Sequence, residues 1–134
     1  MRFFRLQILA SSIAYFVSGS LFAYPLPISR FQADGSLYVE SSSIVRANNS
    51  VRLTYVENFE QAQAYGSGTY MSKATQIRID CAARLVYEIS ESFYTGADLG
   101  GAFLGRYPKN DVDGQYAEHG SWVSEVVKVG CSFN

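Results

Sequence analysis

The sequence predicts an α+β fold, a series of β-strands followed by one helix at the C-terminus. Three observations predict it. From Gln76 to Cys81, apolar Ile77, Ile79 and Cys81 alternate with polar Gln76, Arg78 and Asp80, the period of a strand with one buried and one wet face. Val51-Arg52-Leu53-Thr54-Tyr55-Val56-Glu57 repeats that period behind Ala47-Asn48-Asn49-Ser50, and Asn tolerates the left-handed backbone a tight hairpin needs. Near the C-terminus the period lengthens, and Val123, Val126, Val127 and Cys131 share one helical stripe.

The first residues read as an export signal. Arg2 and Arg5 precede an apolar run from Leu6 to Val17 that is broken by small residues. The run falls short of the roughly 20 apolar residues a spanning helix needs. Cleavage after Ala23 gives a signal peptide over 1–23, with a cut after Ser20 as the alternative. No cysteine adjoins the cut, so an acyl anchor is not expected. No transmembrane segment remains after cleavage, and the protein is expected in the periplasm or secreted. The mature chain carries 9 basic residues (11 less Arg2 and Arg5) against 12 acidic. Without a basic stripe, nucleic acid is not an expected partner. Two cysteines in an exported protein point to a disulfide. Closing a loop of roughly 50 residues would contribute about 4 kcal/mol by chain entropy.

Pro25 and Pro27 exclude a central strand, so residues 24–34 are an extended lead-in to a single domain over 35–134. Ala33-Asp34-Gly35-Ser36 is a turn. Leu37 and Val39 then face away from Tyr38 and Glu40. Ser41-Ser42-Ser43 is a bulge or break before Ile44-Val45-Arg46 resumes the strand. Val51, Leu53 and Tyr55 mark the core face. Glu60-Gln61-Ala62-Gln63-Ala64 favours a short helical turn, and Tyr65-Gly66-Ser67-Gly68 a mobile loop. Residues 83–93 read as a strand, with Leu85, Tyr87 and Ile89 opposite Arg84, Val86 and Glu88. A helix is the rival there, because Ala82-Ala83-Arg84-Leu85 are good helix formers. Four glycines make residues 94–105 a flexible loop, and residues 107–120 are mostly turn. Ser121 caps the final helix, Glu125 suits its first turn, and Gly130 ends it.

No catalytic constellation is visible. His119 is the one histidine, and no Gly-x-Ser-x-Gly elbow accompanies a Ser-His-Asp set. Too few His and Cys remain for zinc once the cysteines pair. Asp111-Val112-Asp113-Gly114 matches the start of a calcium loop, but Trp122 stands where the closing Glu belongs, and a turn is the better reading. The glycines at 96–105 lack the Lys-Ser/Thr of a phosphate loop. No cofactor and no metal are expected. Asn48-Asn49-Ser50 is a glycosylation sequon in a eukaryotic cell and a turn otherwise. Arg78, Asp80, Arg84 and Glu88 read as a charge ladder on one wet face. Tyr65, Tyr94, Tyr107 and Tyr116, all in expected loops, are the candidate partner contacts, because Tyr buries area at low entropy cost.

One longer pattern stands out. It runs through Gly35-Ser36-Leu37-Tyr38-Val39, Ser43-Ile44-Val45-Arg46, Val51-Arg52-Leu53 and Tyr70-Met71-Ser72-Lys73. It continues through Ile79-Asp80-Cys81-Ala82-Ala83-Arg84, Tyr94, Ser121-Trp122-Val123 and Val129-Gly130-Cys131. This pattern resembles the surface-adhesin protein E family of small exported bacterial proteins. The resemblance implies an antiparallel sheet packed against a C-terminal helix, with Cys81 bridged to Cys131; on the alternation of the strand, Ile77 and Ile79 are then expected to face that helix. It also implies a non-enzymatic protein, adhesin-like, that acts by protein–protein contact at or beyond the cell envelope. The family's adhesin binds host matrix proteins. A periplasmic inhibitor or accessory factor of an envelope enzyme, inserting the loop 96–105, is the alternative. The partner is expected to be a protein, and a homodimer is left open.

Overall fold

The computed structural model of the chain describes residues 23–31 and 34–134. Apart from Ala23, the expected signal peptide lies outside them, and so does Ala33 of the expected turn. The strands are β1 (Pro25–Pro27), β2 (Gly35–Glu40), β3 (Val45–Ala47), β4 (Ser50–Tyr65), β5 (Gly68–Asp80), β6 (Leu85–Tyr94), β7 (Phe103–Pro108) and β8 (Gln115–Tyr116). One α-helix follows, α1 (Trp122–Ser132). The strands form one sheet in the order β1-β2-β4-β5-β6-β7, with β3 beside the start of β4 and β8 beside the start of β6. Every pairing is antiparallel. The architecture is the expected one, an antiparallel sheet with a C-terminal helix and a Cys81–Cys131 bridge.

β4 and β5 are the centre of the sheet. Their register pairs Val51 with Ile79, Leu53 with Ile77, Tyr55 with Thr75 and Glu57 with Lys73. The apolar members of this face are buried together with Leu37, Val39 and Val86 from the flanking strands, and with Val126 and Val127 of α1. Burial of this apolar surface, at about 25 cal/mol per Å2, is the main stabilising term. The expected cap is present, with the Ser124 backbone N–H donating to Ser121 Oγ at 3.1 Å. At the start of α1 the Trp122 ring meets Phe31 and Tyr55 edge-on, at centroid distances of 5.7 and 5.6 Å. At its other end Cys131 bridges to Cys81, the residue directly after β5, with 5.9 Å between their Cα atoms.

Gly130 does not end the helix. It lies buried inside α1, where a Cβ would come 2.6 Å from Leu53 Cδ2 and 3.2 Å from Ile79 Cδ1. Glycine here lets helix and sheet approach closely, which offsets its poor helix propensity of about 1 kcal/mol.

The lead-in is an integral part of the fold. β1 adds an edge strand to β2, the position Pro permits. Ile28 is buried in the core. The Ser29 and Arg30 backbone N–H groups and the Ser29 hydroxyl donate to the Glu125 carboxylate at 3.2, 3.0 and 2.9 Å. Desolvation pushes the Glu125 carboxyl up, but these donors together, with the Arg30 charge, outweigh it and hold Glu125 below the usual carboxylate range.

Three further expectations are corrected. Residues 59–65 are not a helical turn, because β4 runs on to Tyr65 and only Gly66 and Ser67 separate it from β5. A bulge sets residues 59–62 against Met71 before pairing resumes at Gln63 and Tyr70. Pairing of Phe59 with Gly35, the Glu60 N–H bond to the Asp34 carbonyl at 3.0 Å and pairing of Gln63 to Tyr65 with β5 outweigh the helix-forming composition. Residues 94–105 are not one flexible loop. Tyr94 ends β6, Phe103 begins β7, and the turn between them is pinned to the sheet. Asn58 and Asp98 exchange two hydrogen bonds of 2.6 and 2.7 Å, and the Leu99 N–H donates to Ser72 Oγ at 3.0 Å. Finally, Arg78, Asp80, Arg84 and Glu88 do not form one ladder. Gln76 pairs with Ser90 and Ile77 with Glu88, so Ile89 is an extra residue that shifts the register of β6. Glu88 thereby shares the helix face with Ile77 and Val86. Arg78 stacks over Tyr87, 4.1 Å from the ring centroid, and Arg84 donates to the Ala117 carbonyl at 3.0 Å.

Candidate functional site

Helix α1 begins beside Tyr55, and past that point the same sheet face carries first charge, then aromatic rings. In the charged tier Lys73 Nζ lies 3.3 Å from Glu91 Oε1 and 3.7 Å from Glu57 Oε1. Lys109 Nζ lies 3.3 Å from Glu91 Oε2. Burial pushes the Glu57 carboxyl up, and Lys73 only partly opposes it. Burial pushes Glu91 up as well, but Lys73 and Lys109 outweigh it and hold Glu91 below the usual range. Desolvation alone would lower Lys73, yet Glu57 and Glu91 together raise it. By distance, the cation at the centre of this tier is committed more to Glu91, to which it donates a hydrogen bond, than to Glu57.

The aromatic tier caps the β4–β5 hairpin. Phe93 of β6 packs against Tyr70, Tyr65 and Tyr107 at centroid distances of 4.9, 5.2 and 5.8 Å. Phe59 joins through Tyr70 at 5.5 Å. The hydroxyls of Tyr65 and Tyr107 are hydrogen-bonded to each other, and that bond holds the Tyr65 phenol above its usual value. Gly105 makes room for them, since a Cβ there would come 2.8 Å from the Tyr65 hydroxyl. Tyr107 stays 49% exposed.

Of the four tyrosines singled out in the sequence, Tyr65 and Tyr107 converge in this patch. Tyr94 pairs instead with Phe103 at 5.4 Å, beside the polar groove of Ser90, Ser92 and Arg106 on the face away from α1. Tyr116 is exposed on β8, opposite Leu85. Sequence reasoning missed Phe59, Tyr70 and Phe93. The signal that could have found them is the aromatic spacing either side of Gly66, once residues 59–65 are taken as strand.

Between the start of α1 and the sheet lies a cleft of about 390 Å3, lined among others by Tyr55, Glu57, Lys73, Glu88, Asp111 and Trp122. His119 is exposed at a separate shallow hollow beside the disulfide, with Arg84 and Lys128 as its charged neighbours. Two cations do not orient an imidazole as a base the way a carboxylate does. Asp111 closes a turn, accepting from the Gly114 N–H at 3.0 Å. Among the described residues no three His, Cys, Asp or Glu side chains converge as a metal site, and no helix is long and apolar enough to cross a membrane.

A helix-backed antiparallel sheet, clamped by one disulfide and ending in an aromatic-tipped hairpin, places the chain among small disulfide-bonded α+β domains. The chain belongs to the surface-adhesin protein E family, whose sequence model matches residues 26–132. Membership places it among adhesin-like surface proteins, exported from the cytoplasm. Solved structures of Haemophilus influenzae protein E share the fold. One is 17% identical, with a TM-score of 0.63, covering 79% of this chain and 83% of that one. A second crystal form is 16% identical, with a TM-score of 0.59, covering 82% and 97%. Protein E from non-typeable Haemophilus influenzae is 16% identical, with a TM-score of 0.57, covering 81% and 80%. No curated protein sequence matches the chain.

Proposed function

We propose that this protein is a non-enzymatic binding protein that works by protein–protein contact, and that the aromatic end of the β4–β5 hairpin is its docking surface. The observation that carries the reading is the convergence of Tyr65, Tyr70, Phe93 and Tyr107 on the part of the sheet beyond α1. Such rings present large rigid area at low entropy cost, and Tyr is enriched in the cores of protein interfaces. The Glu91–Lys109 pair beside them supplies a polar rim. Family membership supports an adhesin-like partner, a protein outside the cell. The alternative role, inhibition by an inserting loop at 96–105, draws less support, because Asn58 and Ser72 tie that loop to the sheet.

The test is to present the purified exported protein to matrix proteins and to envelope extracts. Saturable binding to a matrix protein supports the reading. Absence of any saturable binder removes it.

A further inference from the structure

We propose that the cleft at the start of α1 binds a primary ammonium carried on a short alkyl stem. Its volume of about 390 Å3 lies in the range of small-molecule sites. Ile77 and Val86 provide an apolar floor suited to methylene groups, and Tyr55 and Trp122 add aromatic rings, whose faces favour a cation. The polar side of the lining sets three carboxylates, Glu57, Glu88 and Asp111, against the single ammonium of Lys73.

Asp111 already accepts from the Gly114 and Glu88 backbone N–H groups at 3.0 and 3.3 Å, but Lys73 does not neutralise both of the others. Lys73 donates to Glu91, at 3.3 Å, and stands 3.7 Å from Glu57, beyond hydrogen-bond range. Glu57 is only 8% exposed, and among the described residues nothing donates a hydrogen bond to its carboxylate. Burial penalises the charged form of this cleft-lining carboxylate and Lys73 only partly offsets that, so a cation entering the cleft would relieve the cost. A ligand ammonium offers three donors to these carboxylates. The cleft uses different residues from the aromatic patch, so this proposal stands or falls separately from the docking surface.

Trp122, the one tryptophan in the chain, reports on the cleft by its fluorescence. The probes are 1,5-diaminopentane, an acetylated and amidated Gly-Lys-Gly peptide, and neutral 1-pentanol. The expected result is a saturable change with at least one amine and none with pentanol. Response to the diamine alone assigns a small-molecule ligand, and response to the peptide assigns a lysine side chain of a partner. Glu88→Gln, which breaks no ion pair among the described residues, should weaken amine binding about tenfold. Glu57→Gln should do the same where circular dichroism shows it folded. An equal response to pentanol, no saturable response to either amine, or unchanged affinity in Glu88→Gln overturns the proposal.

Discussion

The Tyr65 and Tyr107 hydroxyls meet although β5 and β6 lie between their strands in the sheet. The two side chains lean toward each other over Phe93, which contacts both rings. Phe93 is therefore the support and the phenol pair the surface. Phe93→Ala should lower unfolding stability by about 2 kcal/mol, less than for a fully buried ring. Tyr65→Phe keeps the rings and removes one exposed hydrogen bond, so it should lower stability by no more than about 1 kcal/mol. Urea midpoints of the two variants check this order, and a larger loss in Tyr65→Phe would reverse the assignment of roles.

The Cys81–Cys131 bridge joins residues 50 apart and holds the last turn of α1 to the end of β5. Its removal by Cys81→Ser/Cys131→Ser should lower stability by roughly 2–4 kcal/mol. Arg46 Nη2, which donates to the Cys131 carbonyl at 2.6 Å, is an exposed contact and will not replace the bridge. Denaturant unfolding with and without reductant measures the loss. A reduced protein as stable as the oxidised one would show that the helix docks without the clamp.

Gly130→Ala improves helix propensity by about 1 kcal/mol, yet should be destabilising overall. The new methyl meets Leu53, itself buried, and the bridge at Cys131 keeps the helix from lifting away. Overpacking of about 1–3 kcal/mol outweighs the propensity gain. A raised melting temperature in Gly130→Ala would mean that Leu53 repacks freely.

The charged tier gives an asymmetric pair. Glu91→Gln leaves Lys73 with Glu57 at 3.7 Å and should lower stability by roughly 1–3 kcal/mol at neutral pH. The pH dependence has two opposed parts. The folded pKa of Glu91 lies below its unfolded value, so its contribution is complete above the unfolded value and is lost as pH falls through the lowered one. The folded pKa of Glu57 is raised, so ionisation destabilises the fold, and stability is regained as pH falls through that raised value. Glu57→Gln removes the second part and should steepen the loss of stability below neutral pH. Urea midpoints from neutral to acidic pH read this directly, and parallel curves for wild type and Glu57→Gln would contradict it.

Much of the frame was legible because local chemistry and tertiary packing agree there. Val51, Leu53, Ile77 and Ile79 alternate and are buried, Ser121 caps, and two cysteines in an exported chain pair. The misses lie where distant contacts override local composition. Glu60-Gln61-Ala62-Gln63-Ala64 favours helix by itself, but the Glu60 N–H bond to the Asp34 carbonyl and pairing of Gln63 and Ala64 with β5 hold it extended. The glycines at 96–101 suggest mobility, while the Asn58 and Ser72 side chains that fix them lie far back in the chain. One bulged residue, Ile89, turned Glu88 toward the helix, and no local pattern announces it. Of the proposed docking surface, Tyr65 and Tyr107 were legible but Tyr70, Phe93 and the convergence of the four rings were not, because that convergence depends on the true length of β4.

Whether the aromatic hairpin end is the docking surface is tested most directly by the affinity of Tyr65→Ser/Tyr107→Ser for whichever matrix protein wild type binds. As hot-spot residues the pair should weaken binding roughly thirtyfold, with circular dichroism unchanged and the Cys81–Cys131 bridge intact. A folded double variant that binds as tightly as wild type would contradict the account.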